Sequence, residues 1–453
     1  MAPSSTLLYF SLDVRPQGSQ GTQIHATLNK LFGSSAERAI RGFGTRLMGG
    51  QVQPWWGQHI GMVITQFGPG ATGIAAKSGV AVIIPTGDPA AARAWIAKLT
   101  KRNPGEMGKV IDGYAVFGGP VAYQQILRTS SGNSLASSPR YQATVGQLGG
   151  SPAAVVWMNP RGFIGQLAAR IPKSSAISSA LKRSLARLGP NSAAAVGLNL
   201  TPSAISLNLD ETGVRQSSHR SPANVGGLPG ASWLALATNW FPAKSQKQLQ
   251  EGFQIGLLGA LSHSSSGAGA LTDELVQRLA FVEHDVLPAL GPLSLAVGGT
   301  SPFDLTAGLK LAPSSQATAT RLLSLLRGLA ARSPSLSVTG KATNFSVKSP
   351  TGSRVLARQA HGQVIATYGF PSQSAFLSPA SKLSQNPTYR QALAQLPGAT
   401  SVPLYVSFPP IAALVALLDH KPSAAKTVRA LDKLNYLILG SGGGRERLDL
   451  GLR

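Results

Sequence analysis

The chain has no cysteine among its 453 residues. This excludes disulfides, thiolate nucleophiles and cysteine-ligated metals together, and it is compatible with an oxidising compartment. Acidic residues are scarce, 17 Asp+Glu against 41 Lys+Arg, for a net charge of +24. They are too few and too dispersed to nominate a carboxylate pair for acid–base chemistry. Charged residues total only 13%, about half the ~25% usual in soluble domains. Ser, Thr, Gln and Asn must supply much of the polar surface, which favours an extracytoplasmic protein over a cytosolic enzyme. Long apolar runs are also missing: none approaches the ~20 residues a membrane-spanning helix needs. The opening MAPSSTLLYF lacks the basic and apolar regions of a signal peptide, so the sequence as given reads as soluble and untargeted.

Motifs that carry chemistry are equally sparse. The seven histidines, His25, His59, His219, His263, His284, His361 and His420, show no metal-ligand spacing. Glu283, His284 and Asp285 form the densest acid–base cluster, but neighbours on a helix point in different directions and do not converge. No G-x-S-x-G elbow exists, so a serine hydrolase has no visible nucleophile. GPGATG at 68–73 matches G-x-G-x-x-G after a strand, with Asp88 twenty residues beyond Gly68. A dinucleotide site needs a helix opening at the third glycine. Only five residues separate Gly73 from Gly79, where the next strand begins, so the segment reads as a loop. GSGGG at 440–444 reads as a turn between the last two strands. The sequence therefore nominates no catalytic, cofactor-binding or metal-binding residue.

A repeat is what the sequence does contain. SLASSPRYQATVGQL, from Ser134, returns as KLSQNPTYRQALAQL, from Lys382. Leu135, Pro139, Tyr141, Gln147 and Leu148 recur as Leu383, Pro387, Tyr389, Gln395 and Leu396, each displaced by the same 248 positions. An apolar strand and then an apolar helix follow each copy. Earlier landmarks recur in the same order. Pro3, Leu8 and Phe10 return as Pro229, Leu234 and Leu236, and Val52, Pro54, Gly57 and Val63 as Val286, Pro288, Gly291 and Val297.

Apolar patterning predicts strands over 6–12, 59–67, 79–85, 109–111 and 114–117, with helices over 22–32, 36–48 and 89–101. After the first repeat copy come helices over 161–171 and 177–188 and a hairpin of 193–200 with 204–209. The series then begins again, with a helix over 315–329, another over 423–435, and final strands over 436–439 and 448–452. Helices fall between strand pairs rather than after every strand. This argues for an α+β fold of two tandem duplicated modules, each a mixed or mostly antiparallel sheet with helices packed on one face. The expected boundaries are 1–212 for the first module, 213–228 for a polar linker rich in Ser, Gly and Pro, and 229–453 for the second.

Trp55 and Trp56 are the candidate contact residues. On an extended segment adjacent side chains face opposite sides, so one tryptophan is expected in the core, and the other either packs there too or is an exposed contact residue of the first module. The second module has Ala289 and Leu290 at the matching positions, so the turn itself does not require tryptophan.

Three of these landmarks carry a resemblance: the first strand after Pro3, the Pro54-Trp55-Trp56-Gly57 turn before a strand, and a GYAVFGG strand before a Ser-x-x-Pro-x-Tyr helix (Ser384, Pro387 and Tyr389 in the second copy). Together they resemble the bacterial proteins grouped as domain of unknown function 3352. The resemblance implies an extracytoplasmic, envelope-associated protein and supplies no activity, cofactor or catalytic residue.

The net charge attracts anionic surfaces, so the expected partner is an anionic membrane surface, a wall polymer or an acidic protein. The cations are scattered rather than arrayed in runs or interleaved with aromatics, which argues against specific nucleic-acid binding. The first functional expectation is a non-catalytic, envelope-associated binding or scaffold protein with a basic surface. A carrier of a lipid or other apolar ligand in an inter-module cleft is the alternative, followed by a cryptic serine hydrolase. The oligomeric state is not legible.

Overall fold

Apolar alternation becomes strand, and proline behind a small polar cap becomes helix, throughout the computed structural model. It describes residues 1–33, 53–67, 79–129, 133–169, 181–182, 185–186, 188–214, 223–239, 291–301, 303–313, 315–350, 352–396, 398–418, 422–442 and 445–453. These contain ten α-helices and eighteen strands, a mixed α+β protein. The chain divides into two units. One is Met1–Ser217 with Gly443–Leu452, and the other is Ser218–Gly442 with Arg453. No described helix is long and apolar enough to cross a membrane.

The first unit runs β1 (Leu8–Asp13), α1 (Gly18–Phe32), β2 (His59–Ile64), β3 (Val80–Pro85), α2 (Pro89–Arg102), β4 (Met107–Ile111), β5 (Tyr114–Gly118) and α3 (Pro120–Thr129). A 3-10 turn at Leu135–Ser137 leads to α4 (Pro139–Val145), β6 (Ala154–Met158), α5 (Pro160–Ala168), β7 (Leu188–Thr201) and β8 (Ala204–Val214). The strand order is β4-β5-β3-β2-β1-β6-β7-β8, all antiparallel. The C-terminal strand β18 (Arg445–Leu452) adds to β8, again antiparallel.

The second unit runs β9 (Ser232–Thr238), β10 (Leu293–Gly298), β11 (Thr306–Leu311), α6 (Gln316–Ala331), β12 (Ser337–Lys341), β13 (Asn344–Lys348), β14 (Arg354–Ala360) and β15 (Gln363–Tyr368). Then come α7 (Gln373–Leu377), a 3-10 turn at Leu383–Gln385, α8 (Pro387–Ala394), β16 (Ser401–Ser407), α9 (Phe408–Leu418), α10 (Pro422–Leu431) and β17 (Leu434–Gly442). Its order is β12-β13-β14-β15-β11-β10-β9-β16-β17, also antiparallel.

Local chemistry explains the boundaries. Helices α2, α5 and α8 each open on proline, whose missing N–H costs nothing at the first helical position. The side chains of Asp88, Asn159 and Asn386 cap the exposed amides behind them. The β4–β5 hairpin turns on Asp112 and Gly113, at φ 48° and 79°. That pair of left-handed residues is what a two-residue hairpin requires.

Helices cover both faces of the sheet rather than one. In the first unit, Ala81, Ile83 and Val116 pack with Ala122, Tyr123 and Ile126 of α3. Ile84, Ala115 and Ile60 pack with Ala92 and Ile96 of α2. Ile83 and Ile84 are neighbours on β3, so they point to opposite faces, and α2 and α3 lie across the sheet from each other. The second unit repeats the arrangement: α6 packs on Leu311 and Val364, and α7 on Ile365. The strands carry apolar side chains on both faces, so a single helical layer would leave one face bare.

The expected boundaries also change. β18, assigned by sequence to the second module, completes the first unit because its partner is β8. The expected linker, 213–228, is not wholly a linker. β8 extends to Val214, and Val225 and Gly226 are buried in a 3-10 turn. Nearby, the Ala223 carbonyl accepts from the Val402 amide. Leu188, expected to end a helix, opens β7. The hairpin β12–β13 and helix α3 have no counterpart in the sequence reading. The helix expected at 36–48, the loop at 68–73 and the cluster at 283–285 lie outside the described residues.

Candidate functional site

The Pro54–Gly57 turn is bound to the end of β3. The Trp56 amide donates to the Gln53 carbonyl at 3.1 Å, Gly57 N–H to Pro85 O at 2.7 Å, and Gly87 N–H to Trp55 O at 3.2 Å. A Cβ at position 57 would lie 2.8 Å from the Pro85 Cβ, so only glycine lets the two segments approach. Arg15, just past β1, holds the turn from the other side. Its Nη1 donates to Pro54 O and its Nη2 to Gln53 O, both at 2.8 Å.

Both candidate tryptophans are buried, Trp55 at 9% exposure and Trp56 at 3%. Neither is an exposed contact residue, because the pair sits in a turn, where neighbouring side chains need not face opposite ways. The two indoles meet edge to face at 6.1 Å. Trp95 of α2 packs edge to face on both, at 5.5 Å and 6.3 Å, and on Phe117 at 6.1 Å. Such pairs contribute about 0.5–1.5 kcal/mol each beyond their buried area.

Beside this cluster lies an open cleft of about 940 Å³. Ala91, Ala94, Trp95 and Lys98 form one wall. Their spacing places them on one face of α2, while Ala92 and Ile96 turn inward to the core. Pro54, Trp55, Trp56 and Arg15 line the cleft as well. Asp88 also lines the cleft, but its Oδ1 accepts from the Ala90 and Ala91 amides at 3.0 Å.

The cations lining the cleft are Arg15 and Lys98, and its one carboxylate is Asp88. The Trp56 Nε1–H is sealed in the core without an acceptor and is not part of the cleft surface. The Arg15 guanidinium is bonded to neutral carbonyls, and Lys98 is exposed. An acceptor-rich, anionic group with an apolar face complements such a surface. Sequence reasoning found Trp55 and Trp56 but missed Trp95, Arg15 and Lys98. The 91-94-95-98 spacing on a helix marks Trp95 and Lys98 as neighbours, but only the fold brings Arg15 to them.

A second hollow of about 410 Å³ lies between α1, the Leu148–Ser151 turn and the ends of β7 and β8. Its cation, Arg447, is already engaged. The Nε donates to Asp449 at 2.8 Å and Nη2 to Ser206 at 3.1 Å.

Of the histidines, His361 is a turn residue at φ 50°. The ring of His59 lies 4.0 Å from Asp13 Oδ2. Among the described residues no group of three or more His, Asp or Glu side chains is placed to hold a metal ion. Comparison with protein-family models, curated proteins and solved structures finds no match to this chain.

Proposed function

We propose that the chain is a non-catalytic binding protein of the bacterial cell envelope, built from two copies of one α+β module, that engages an anionic partner through its surplus of cations. The charge count carries this reading. Were all 17 carboxylates paired, 24 of the 41 Lys and Arg would still lack one. Several carboxylates are committed elsewhere. Asp88 and Asp304 accept from backbone amides, and Asp13 accepts from the Arg15 amide and the Gln58 side chain. The envelope setting is supported by the low charged content and by the family resemblance of the landmarks.

Duplication is supported by matching details in the two units. The Leu135 amide donates to Ala2 O at 2.6 Å, and the Leu383 amide to Leu228 O at 2.7 Å. Pro3 bridges to Ser134, and Pro229 to Lys382. Asp112-Gly113 and His361-Gly362 make the same left-handed hairpin turn. Tyr141 packs on Trp157 at 5.9 Å, and Tyr389 on Tyr405 at 5.1 Å.

Co-sedimentation of the full chain with phosphatidylglycerol vesicles and with purified wall material tests the electrostatic reading. Binding is expected to fall steeply between about 0.1 M and 1 M salt, where the screening length drops from about 10 Å to about 3 Å. Binding indifferent to salt, or none to either material, overturns it.

A further inference from the structure

The cleft beside Trp95 is open to solvent, unlike a site that encloses 70–90% of a small ligand. An open site suits a ligand that extends beyond it. Its donors call for an acceptor-rich ligand, and its apolar wall calls for one with a small apolar face. We propose that this cleft is a subsite for an acidic polysaccharide, with one sugar ring against Trp95 and its carboxylate received by Arg15 and Lys98.

Three features favour this occupant. First, two cations, Arg15 and Lys98, stand against one lining carboxylate, Asp88, which is occupied by two backbone amides. A cationic ligand would meet Arg15 and Lys98 and be repelled. Second, the exposed aromatic surface is small. Trp55 and Trp56 are buried and Trp95 is half-buried. That is enough for the C–H face of one sugar, whereas single-stranded nucleic acid binds by stacking successive bases on exposed aromatic platforms. Third, the chain's net charge of +24 raises the local concentration of any polyanion at its surface.

This inference rests on the anionic-partner reading and is tested so that the two can fail separately. Oligogalacturonate, polyglutamate, a neutral gluco-oligosaccharide and oligo-deoxythymidylate are titrated onto the full chain, followed by calorimetry and tryptophan fluorescence. Oligogalacturonate is expected to bind and shift the fluorescence, and the neutral sugar to bind far more weakly. Lys98→Glu is expected to weaken oligogalacturonate by about tenfold or more, as loss of a charge-assisted contact should. Arg93→Glu makes the same charge change on an exposed position of α2 outside the cleft. It is expected to cost no more than about twofold to threefold. Trp95→Phe is expected to retain binding that Trp95→Leu loses. Should Trp95→Leu fail to fold, the Lys98 and Arg93 pair still decides.

Equal losses for Lys98→Glu and Arg93→Glu, or polyglutamate binding as tightly as oligogalacturonate, overturn the cleft while leaving the anionic partner standing. Oligo-deoxythymidylate binding more tightly, with the larger fluorescence change, replaces the sugar with nucleic acid. Failure of every anion to bind removes both readings.

Discussion

The Trp157 indole donates to the Thr144 hydroxyl at 3.1 Å, inside the core beneath the first copy of the repeated helix. Under the proposed duplication the equivalent pair, 248 positions on, is Tyr405 and Ala392. There Ala392 offers the hydroxyl no partner. Tyr405 OH is buried; Ser407 approaches it, but no hydrogen bond of good geometry closes. The same site is thus satisfied in one unit and unsatisfied in the other. Thr144→Val, which strands a buried donor, is expected to cost about 1–3 kcal/mol. Tyr405→Phe, which removes a group already stranded, is expected to leave stability unchanged or raise it by up to about 1 kcal/mol. Urea unfolding of both variants measures the contrast, and a large loss in Tyr405→Phe would contradict it.

Burial of both neighbouring tryptophans makes a second expectation definite. Trp55→Ala and Trp56→Ala, made separately, are each expected to destabilise by about 3–5 kcal/mol, the cost of truncating a buried aromatic. Denaturant midpoints report it. A variant with unchanged midpoint would mark its tryptophan as a surface residue and break the aromatic cluster described here.

These two cases show what the sequence could and could not say. The strand Val80–Pro85 and the helix beginning at Pro89 were legible because their signals are local: an apolar run, then Asp88 and proline at a helix start. The repeated helix was legible because five identities kept one spacing. The turn at Pro54–Gly57 was visible, but which way its indoles face depends on β3, joined by Gly57 N–H to Pro85 O. The partner of β18 was not legible either, because alternation specifies that a segment is a strand and not which edge it joins. Arg15 and Lys98 line one cleft only through tertiary packing, and neither sits in a motif. Even the buried tyrosines carried no sign in sequence that they would be harder to ionise than usual.

That altered ionisation gives a pH dependence. Burial, and then the neighbouring Tyr9, push Tyr141 up to about 12. Burial, eased by Ser407 and reinforced by Tyr389 and Tyr436, pushes Tyr405 to about 12. Both lie above the ordinary tyrosine value of 10.0. A group raised on folding holds its proton more tightly in the folded state. Its contribution is therefore complete below pH 10 and lost as pH climbs from 10 through about 12. Stability is expected to fall over that window, and Tyr141→Phe to flatten the fall. A Tyr141→Phe curve parallel to the wild-type curve above pH 10 would contradict this assignment.

Asp304 shifts the other way. Its carboxylate accepts from the amides of Thr300 and Ser301, and from both hydroxyls. The backbone bonds, that of Ser301 foremost, lower it to about 2 from 3.8. A lowered group stabilises the folded form above its unfolded value and loses that contribution as pH falls through its folded one. The Thr300 and Ser301 amides are therefore expected to lose hydrogen-exchange protection as pH drops from 3.8 through about 2. Asp304→Ala is expected to expose them at neutral pH. The group is fully exposed, so the effect should stay local and leave the global midpoint in place.

The last strand carries a sharper expectation, because its sequence neighbours and its sheet partner lie in different units. Arg445–Leu452 pairs residue by residue with β8, from Arg445 opposite Asp210 to Gly451 opposite Ala204. Asp449 is fully buried there and accepts from Arg447 Nε at 2.8 Å, and Leu452 N–H donates to Ser203 O at 2.7 Å. Ending the chain at Gly442 would leave β8 as a bare edge, open to pairing with other chains, and would uncover apolar surface in the first unit. Five of the chain's tryptophans, Trp55, Trp56, Trp95, Trp157 and Trp233, have described positions, and all but Trp233 belong to the first unit. Tryptophan fluorescence therefore reports mainly on that unit. The truncated chain is expected to show its fluorescence transition at lower denaturant, and to associate more readily in solution. Were the fluorescence transition unmoved, β18 would be dispensable to the first unit, and the boundary drawn from sequence at residue 229 would be the better description of how the chain folds.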